Sequence, residues 1–195
     1  MKPPSQLLRR VVLTVALLNL AYFGVEFGVA RMIGSVALFA DSIDFLEDAS
    51  VNLLVLVALG WAARRRAALG VVLAGLLLVP GVATVWMAWD KFQQPVPPAE
   101  LPLLLAGCGA MAVNVYCALL LARVRNEAGS LSRAAFLSAR NDAFANGAII
   151  LAAVMTWFWY SAWPDLIVGI GIFLLNLGAA HEVFAAAREE AREAA

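Results

Sequence analysis

The sequence predicts an all-α membrane protein built as a bundle of six transmembrane helices. Composition is the first reason: 63% of the 195 residues are apolar and the mean hydropathy is +0.84, whereas apolar residues make up nearer half of an ordinary soluble domain. A second reason is that the apolar residues fall into six runs of about 20 residues, enough to cross a hydrocarbon core of about 30 Å. A third is that short polar or proline-rich segments separate these runs.

Each predicted span ends where charged or helix-breaking residues begin. The spans cover residues 11–30, 36–62, 68–89, 101–122, 134–159 and 166–183. Gly34 lies in the first connection, and three arginines starting at Arg64 end the second span. Pro80 lies near the middle of the third span and predicts a kink there. The prolines that predict a loop before the fourth span are Pro95, Pro97 and Pro98.

An even number of spans places both termini on one side of the membrane. Of the 14 Lys and Arg residues, all but three belong to the side of the termini; the exceptions are Arg31 and Lys91 on the other side and Arg140 within a span. Basic residues accumulate on the cytoplasmic side. We therefore expect cytoplasmic termini in the inner (plasma) membrane, and one transmembrane domain over residues 1–195 with no cytoplasmic domain after it.

The second span carries four acids within eight residues. These acids are Asp41, Asp44, Glu47 and Asp48. Asp44 and Asp48 are four residues apart, so they lie on one face of a helix. A charged carboxylate at the bilayer centre costs roughly 2.5–3.5 kcal/mol on insertion scales and usually marks an ion or proton path. Asp41 is nearer the outer end of the span, where a vestibule or supporting role is expected.

The fifth span carries a second polar stripe, which is expected to face the first. Ser138, Asp142 and Asn146 follow one another at four-residue intervals. Together the stripes offer three carboxylates and a hydroxyl, an oxygen-rich set of ligands for a divalent cation. The predicted metal ligands are Asp44, Asp48, Asp142 and Ser138, with Asp41 and Asn146 as secondary members.

Clustered acids repel one another and lose hydration, so some are expected to hold protons that metal binding displaces. Exchange of metal for protons would drive transport without ATP, and the sequence has no phosphate-binding glycine loop. No prosthetic group is expected, only a transported divalent ion such as Zn²⁺. The expected partners are the lipid bilayer, metal ions and protons.

Other polar residues in the spans have simpler explanations. Asn19, Glu26 and Asn114 are interpreted as interhelical hydrogen-bonding residues. Arg140 is expected to pair with an acid elsewhere, such as Glu26, or to extend to the membrane interface. His181, the only histidine, is interpreted as an interfacial residue.

Composition also limits the classes of function. The formal net charge is zero, so a nucleic-acid partner is not expected. Cys108 and Cys117 are nine residues apart and point in opposite directions on a helix, so no disulfide is expected between them. The spans contain no nucleophile–base pair and no HExxH metal motif, so the chain is not expected to be an enzyme.

The segment GSVALFADSIDFLED, residues 34–48, resembles the second helix of cation diffusion facilitator transporters. That family carries there a Gly-Ser-x-Ala-Leu-x-Ala-Asp lead, then His or Asp, then Asp four residues on. Asp44 and Asp48 match this ligand pair. Ser138 and Asp142 occupy the positions of the family's second His/Asp-x-x-x-Asp pair, in the fifth helix.

The resemblance implies a six-helix bundle of the cation diffusion facilitator type that usually forms a homodimer and exports divalent metal by proton antiport. Ser138 stands where the family usually has a strong ligand, and the site lacks the histidine that zinc favours. The expected metal belongs to the zinc, cobalt, iron, manganese or cadmium class, and the lack of histidine favours cobalt, iron or manganese over selectivity for zinc. We expect neither the family's His-rich loop after the fourth helix nor its cytoplasmic domain after the sixth, so a dimer is expected to pair through membrane helices.

These observations together predict a divalent metal cation:proton antiporter. Two alternatives remain open at this point. One is a proton-coupled exporter of organic cations, in which the acids bind a protonated amine. The other is a non-transporting membrane subunit, in which the acids pair with basic residues of a partner.

Overall fold

In the computed structural model, the chain is described over residues 6–58, 81–124 and 130–177. The regular structure in these ranges is α-helical, and they contain no strand. The predicted all-α fold is therefore confirmed. The helices are α1 (Gln6–Ile33), α2 (Val36–Ala58), α3 (81–93), α4 (Glu100–Val124), α5 (Ser130–Trp159) and α6 (Trp163–Leu177).

Three helices in the described ranges are long and apolar enough to cross a membrane: α1, α4 and the Ser138–Trp159 part of α5. Helix α2 has 23 residues but carries the four acids, and the described part of α6 is a shorter apolar helix. The membrane-spanning bundle thus contains one helix whose polarity demands partners from its neighbours.

Helix ends lie a few residues outside the apolar runs. Helix α1 begins at Gln6 rather than at residue 11, and α3 continues to residue 93 before the proline-rich loop. Backbone hydrogen bonding continues through polar residues, whereas the predicted spans were bounded by hydropathy. The arginine run at Arg64, the kink at Pro80 and the interfacial position of His181 lie outside the described residues.

Two antiparallel hairpins form the core of the bundle, α1 with α2 and α4 with α5. Helix α1 packs against α4 and helix α2 against α5, which brings the two polar stripes to the same interface. One face of α1 is buried along most of its length, including the polar side chains Asn19 and Glu26. The largest apolar cluster joins residues such as Leu38 of α2, Leu103 of α4 and Ile149 of α5.

A polar cluster fixes the start of α2, where the chain turns from α1. Gly34 has φ +65°, a left-handed conformation that glycine adopts without strain, and Ser35 caps α2 by accepting from Leu38 N at 3.1 Å. The buried Asp165 of α6 accepts hydrogen bonds from Ser35 Oγ (2.5 Å), Lys91 Nζ (2.8 Å), Val36 N (2.9 Å) and Ala37 N (3.3 Å). This one carboxylate therefore joins α2, α3 and α6.

Helix α6 lies unusually close to the start of α2. A Cβ atom added at Gly169 would lie 2.7 Å from the backbone of Val36 and Ala37. Glycine is therefore needed at this position for the two helices to approach, and the Asp165 carboxylate is held at the amide groups that it caps.

Candidate metal centre

Asp48 lies at the contact between α2 and α5, near the middle of the bundle. Its Oδ1 accepts a hydrogen bond from Ser138 Oγ at 3.1 Å, and its carboxyl group lies beside that of Asp142. The structure thus brings three of the four predicted ligands together, from helices about 90 residues apart in the chain.

The fourth predicted ligand, Asp44, lies one helical turn from Asp48 on the same face of α2. Four other acids surround its carboxyl group, namely Asp41, Glu47, Asp48 and Asp142. Within the described residues, no three Asp, Glu, His or Cys side chains are close enough to form a metal-binding group as they stand. Asp44 therefore borders the contact between Asp48 and Asp142 without joining it.

A polar side chain from α1 completes the surroundings of Asp48. Asn19 Nδ2 donates to Asp48 Oδ2 at 3.4 Å, and Asn19 Oδ1 accepts from Cys117 Sγ of α4 at 3.6 Å. Asn19 and Cys117 are buried, which confirms the interhelical role predicted for Asn19. Cys108 is exposed and both cysteines are free, as their spacing predicts.

The secondary candidates Asp41 and Asn146 meet at a different depth along the helix axes from Asp48, which we call the second level. Asn146 Nδ2 donates to Asp41 Oδ2 at 2.5 Å, and Asn146 Oδ1 accepts from Asn114 Nδ2 at 3.1 Å. All three side chains are buried. Because Asp41 precedes Asp48 by seven residues, this level lies about 10 Å nearer the N-terminal end of α2.

Glu26 of α1 faces this second level. Its side chain is 0% exposed and lies beside the Asp41 carboxyl group. Arg140, which was expected to pair with an acid such as Glu26 or to extend to the membrane interface, is exposed and donates to Asn141 Oδ1 at 3.4 Å. The pairing of Glu26 with Arg140 is therefore wrong, because the arginine lies on the outer face of α5 while Glu26 points inward.

Sequence reasoning also missed the cluster around Asp165 and Lys91. Both residues lie in predicted connections between spans, yet their side chains are buried and form an ion pair at 2.8 Å. One signal was available: Lys91 is one of only two basic residues on the sparsely charged side. Their separation of 74 residues hid the pairing.

Comparison with known proteins identifies the bundle. The chain matches the family model of the cation efflux transmembrane domain over residues 12–190, which is most of its length. It belongs to this cation efflux family. The resemblance to cation diffusion facilitators is thereby confirmed, and since the domain moves ions rather than converting a substrate, the chain is a transporter domain and not an enzyme.

Curated relatives agree with this membership. A zinc transporter ZitB from Yersinia pseudotuberculosis is 28% identical over 157 residues, covering 73% of this chain and 50% of the relative. A zinc transporter ZitB from Pectobacterium atrosepticum is 29% identical over 145 residues, covering 68% and 45% respectively. The chain spans about half the length of the curated relatives that it matches. These similarities support a membrane protein of the cation efflux family.

Proposed function

We propose that the chain exports divalent metal cations from the cytoplasm in exchange for protons. The observation that carries the proposal is the contact of Asp48 with Ser138 and Asp142 across α2 and α5, in a chain of the cation efflux family. Asp48 lies 12 residues into α2, about 18 Å from its start, which is close to the middle of a hydrocarbon core of about 30 Å. An ion bound there is reachable in turn from either side.

In the proposed site, the carboxylates of Asp44, Asp48 and Asp142 and the hydroxyl of Ser138 bind the metal ion. Any proton held by Asp48 or Asp142 must leave before both carboxylates can coordinate. A modest rotation of Asp44 toward that pair then supplies the third carboxylate. Metal and proton compete for the same oxygens, and this competition couples their movements in opposite directions.

The ligand set supports a broad range of metals. Oxygen ligands suit manganese, cobalt and iron, while the two curated relatives are zinc transporters. We propose that the domain accepts zinc and cadmium together with the harder divalent ions of this group. The all-oxygen set, with Ser138 at the position of a stronger ligand, favours weaker discrimination between zinc and manganese than a histidine-containing site would give.

The basic residues support a location in the inner membrane with both termini in the cytoplasm, since the opposite side carries only Arg31 and Lys91. We also propose that the functional unit is a homodimer that pairs through membrane helices. Exposed aromatic residues on α3 support a surface for such a contact, among them Trp86, which is 74% exposed, and Trp89, which is 60% exposed.

Transport by the purified protein tests the proposed function. The protein is reconstituted into liposomes with a metal indicator inside, and a pH gradient is imposed across the membrane. Asp48→Asn and Asp142→Asn are expected to lower the rate of metal uptake by more than about tenfold, because each removes a charged ligand. Each substitution keeps the shape of the side chain.

Asp90→Asn is the matched control, because Asp90 is an exposed acid on α3 outside the proposed site. It should transport metal at the wild-type rate. Wild-type rates in both the Asp48 and Asp142 variants would contradict the ligand assignment. Absence of metal uptake by the wild-type protein under either direction of the pH gradient would contradict proton-coupled export.

A further inference from the structure

Glu26 is a buried acid whose charge has no compensation in the described part of the bundle. Its side chain is 0% exposed, and neither Oε1 nor Oε2 accepts a hydrogen bond from a described residue. A buried carboxylate is ordinarily paired, hydrogen-bonded or coordinated to a metal ion. The position is therefore unusual for a residue that only joins helices, which is the role its sequence context suggests.

Asp41 presents another uncompensated oxygen to the same place. Asn146 donates to Asp41 Oδ2 at 2.5 Å, and Asn114 in turn holds Asn146 at 3.1 Å, so the orientation of the carboxyl group is fixed. The remaining oxygen, Oδ1, accepts no hydrogen bond from a described residue and is buried. The amide chain thus holds one oxygen of Asp41, leaving the other without a partner beside Glu26.

Nearby basic side chains are engaged elsewhere. Lys91 pairs with Asp165 at 2.8 Å, and Arg140 is exposed and bonds to Asn141. Two carboxyl groups, Glu26 of α1 and Asp41 of α2, therefore bring together three oxygens that have no hydrogen-bond partner among the described residues. Three such oxygens, with water in the other positions, match the coordination of a divalent ion that prefers oxygen ligands.

We propose that Glu26 and Asp41 form a second divalent-cation site, distinct from the one at Asp48. The inference rests on the proposed function, since it takes the same class of ion. The second site lies about 10 Å nearer the outer end of α2 than Asp48 does. During export, the ion leaves the central carboxylates and binds at this second site, which is closer to the outer side, before it is released.

Manganese binding to the purified full chain in detergent tests the proposal. Mn²⁺ is used because it favours oxygen ligands and its electron paramagnetic resonance spectrum distinguishes bound from free ion. The wild-type protein is expected to bind two Mn²⁺ per chain. Glu26→Gln and Asp41→Asn are each expected to bind one, retained at the central site, which also shows that these variants are folded.

Asp48→Asn provides the comparison that separates this proposal from the function on which it rests. It should also bind one Mn²⁺, at Glu26 and Asp41, while Asp48→Asn combined with Glu26→Gln should bind none. If Asp48→Asn keeps two bound ions, the central ligand assignment fails and the outer site can still be judged from Glu26→Gln.

Asp90→Asn is again the control and should bind two ions, because its acid lies outside both sites. A stoichiometry unchanged by Glu26→Gln would overturn the proposal. So would a wild-type stoichiometry of one that Asp48→Asn abolishes, because the outer carboxyl pair would then hold a shared proton rather than a metal ion.

Discussion

Ser138 is the proposed ligand with the weakest affinity for a metal ion. Its hydroxyl donates to Asp48 Oδ1 at 3.1 Å, so residue 138 lies beside a proposed carboxylate ligand. Imidazole binds zinc more strongly than a neutral hydroxyl does, whereas manganese prefers oxygen. Ser138→His is therefore expected to shift the preference for zinc over manganese by about tenfold or more. Competition of the two ions for the purified protein measures this ratio.

Asn141→His supplies the control for the serine substitution. Asn141 is exposed on α5, so the same imidazole is added at the outer surface of the bundle rather than beside Asp48. The ratio of zinc to manganese affinity should stay at the wild-type value in this variant. An unchanged ratio in Ser138→His would show that residue 138 does not coordinate the ion.

At the scale of the helix, the start of α2 depends on a carboxylate from another helix. Asp165 accepts from the amides of Val36 and Ala37 and from Lys91 Nζ at 2.8 Å, all in a buried environment. Asp165→Asn removes the negative charge and leaves Lys91 buried without a counter-ion. Loss of one partner from a buried ion pair costs about 3–5 kcal/mol, so a clear fall in the melting temperature is expected.

The fall in melting temperature can be measured through the thiol of Cys117. Its thiol is buried, so in a Cys108→Ser background a thiol-reactive fluorophore reports unfolding of the bundle. Adding Lys91→Met to Asp165→Asn removes the unpaired charge and is expected to recover part of the lost stability. Equal melting temperatures for the wild type and Asp165→Asn would show that the ion pair contributes no net stability.

The helices and the central stripes could be predicted from the sequence because they follow local rules. Apolar runs of membrane length predict α1, α4 and α5, and four-residue spacing places Asp48 and Asp142 on defined helix faces. Contacts between distant residues do not follow from such spacing. Thus the polar residues Glu26 and Asp165 each have neighbours, Asp41 and Lys91 respectively, that only packing of the whole bundle could reveal.

At the scale of the whole molecule, the acids lie on two levels rather than in one cluster. The sequence grouped Asp41 and Asn146 with the central ligands because all fall on the same two helix faces. The rise of α2 separates Asp41 from Asp48 by about 10 Å, and Asn146 bonds to Asp41 at 2.5 Å. Periodicity identifies a face of a helix, but the depth at which facing residues meet depends on how the helices pack.

Competition between the metal ion and protons for the carboxylate ligands determines how the affinity for metal depends on pH. The proposed carboxylate ligands must be deprotonated to bind, so lowering the pH favours the proton-bound form and weakens metal binding. Release of one or two protons corresponds to a rise in apparent affinity of about 10-fold or 100-fold per pH unit, until the acids are fully ionised. Titration calorimetry in buffers of different ionisation enthalpy measures both the affinity and the number of protons released.

Asp48→Asn should release fewer protons per bound ion than the wild type, whereas Asp90→Asn should match the wild type. Affinity that is independent of pH, with no proton released, would contradict exchange at these carboxylates, because the metal and the protons would then occupy different groups.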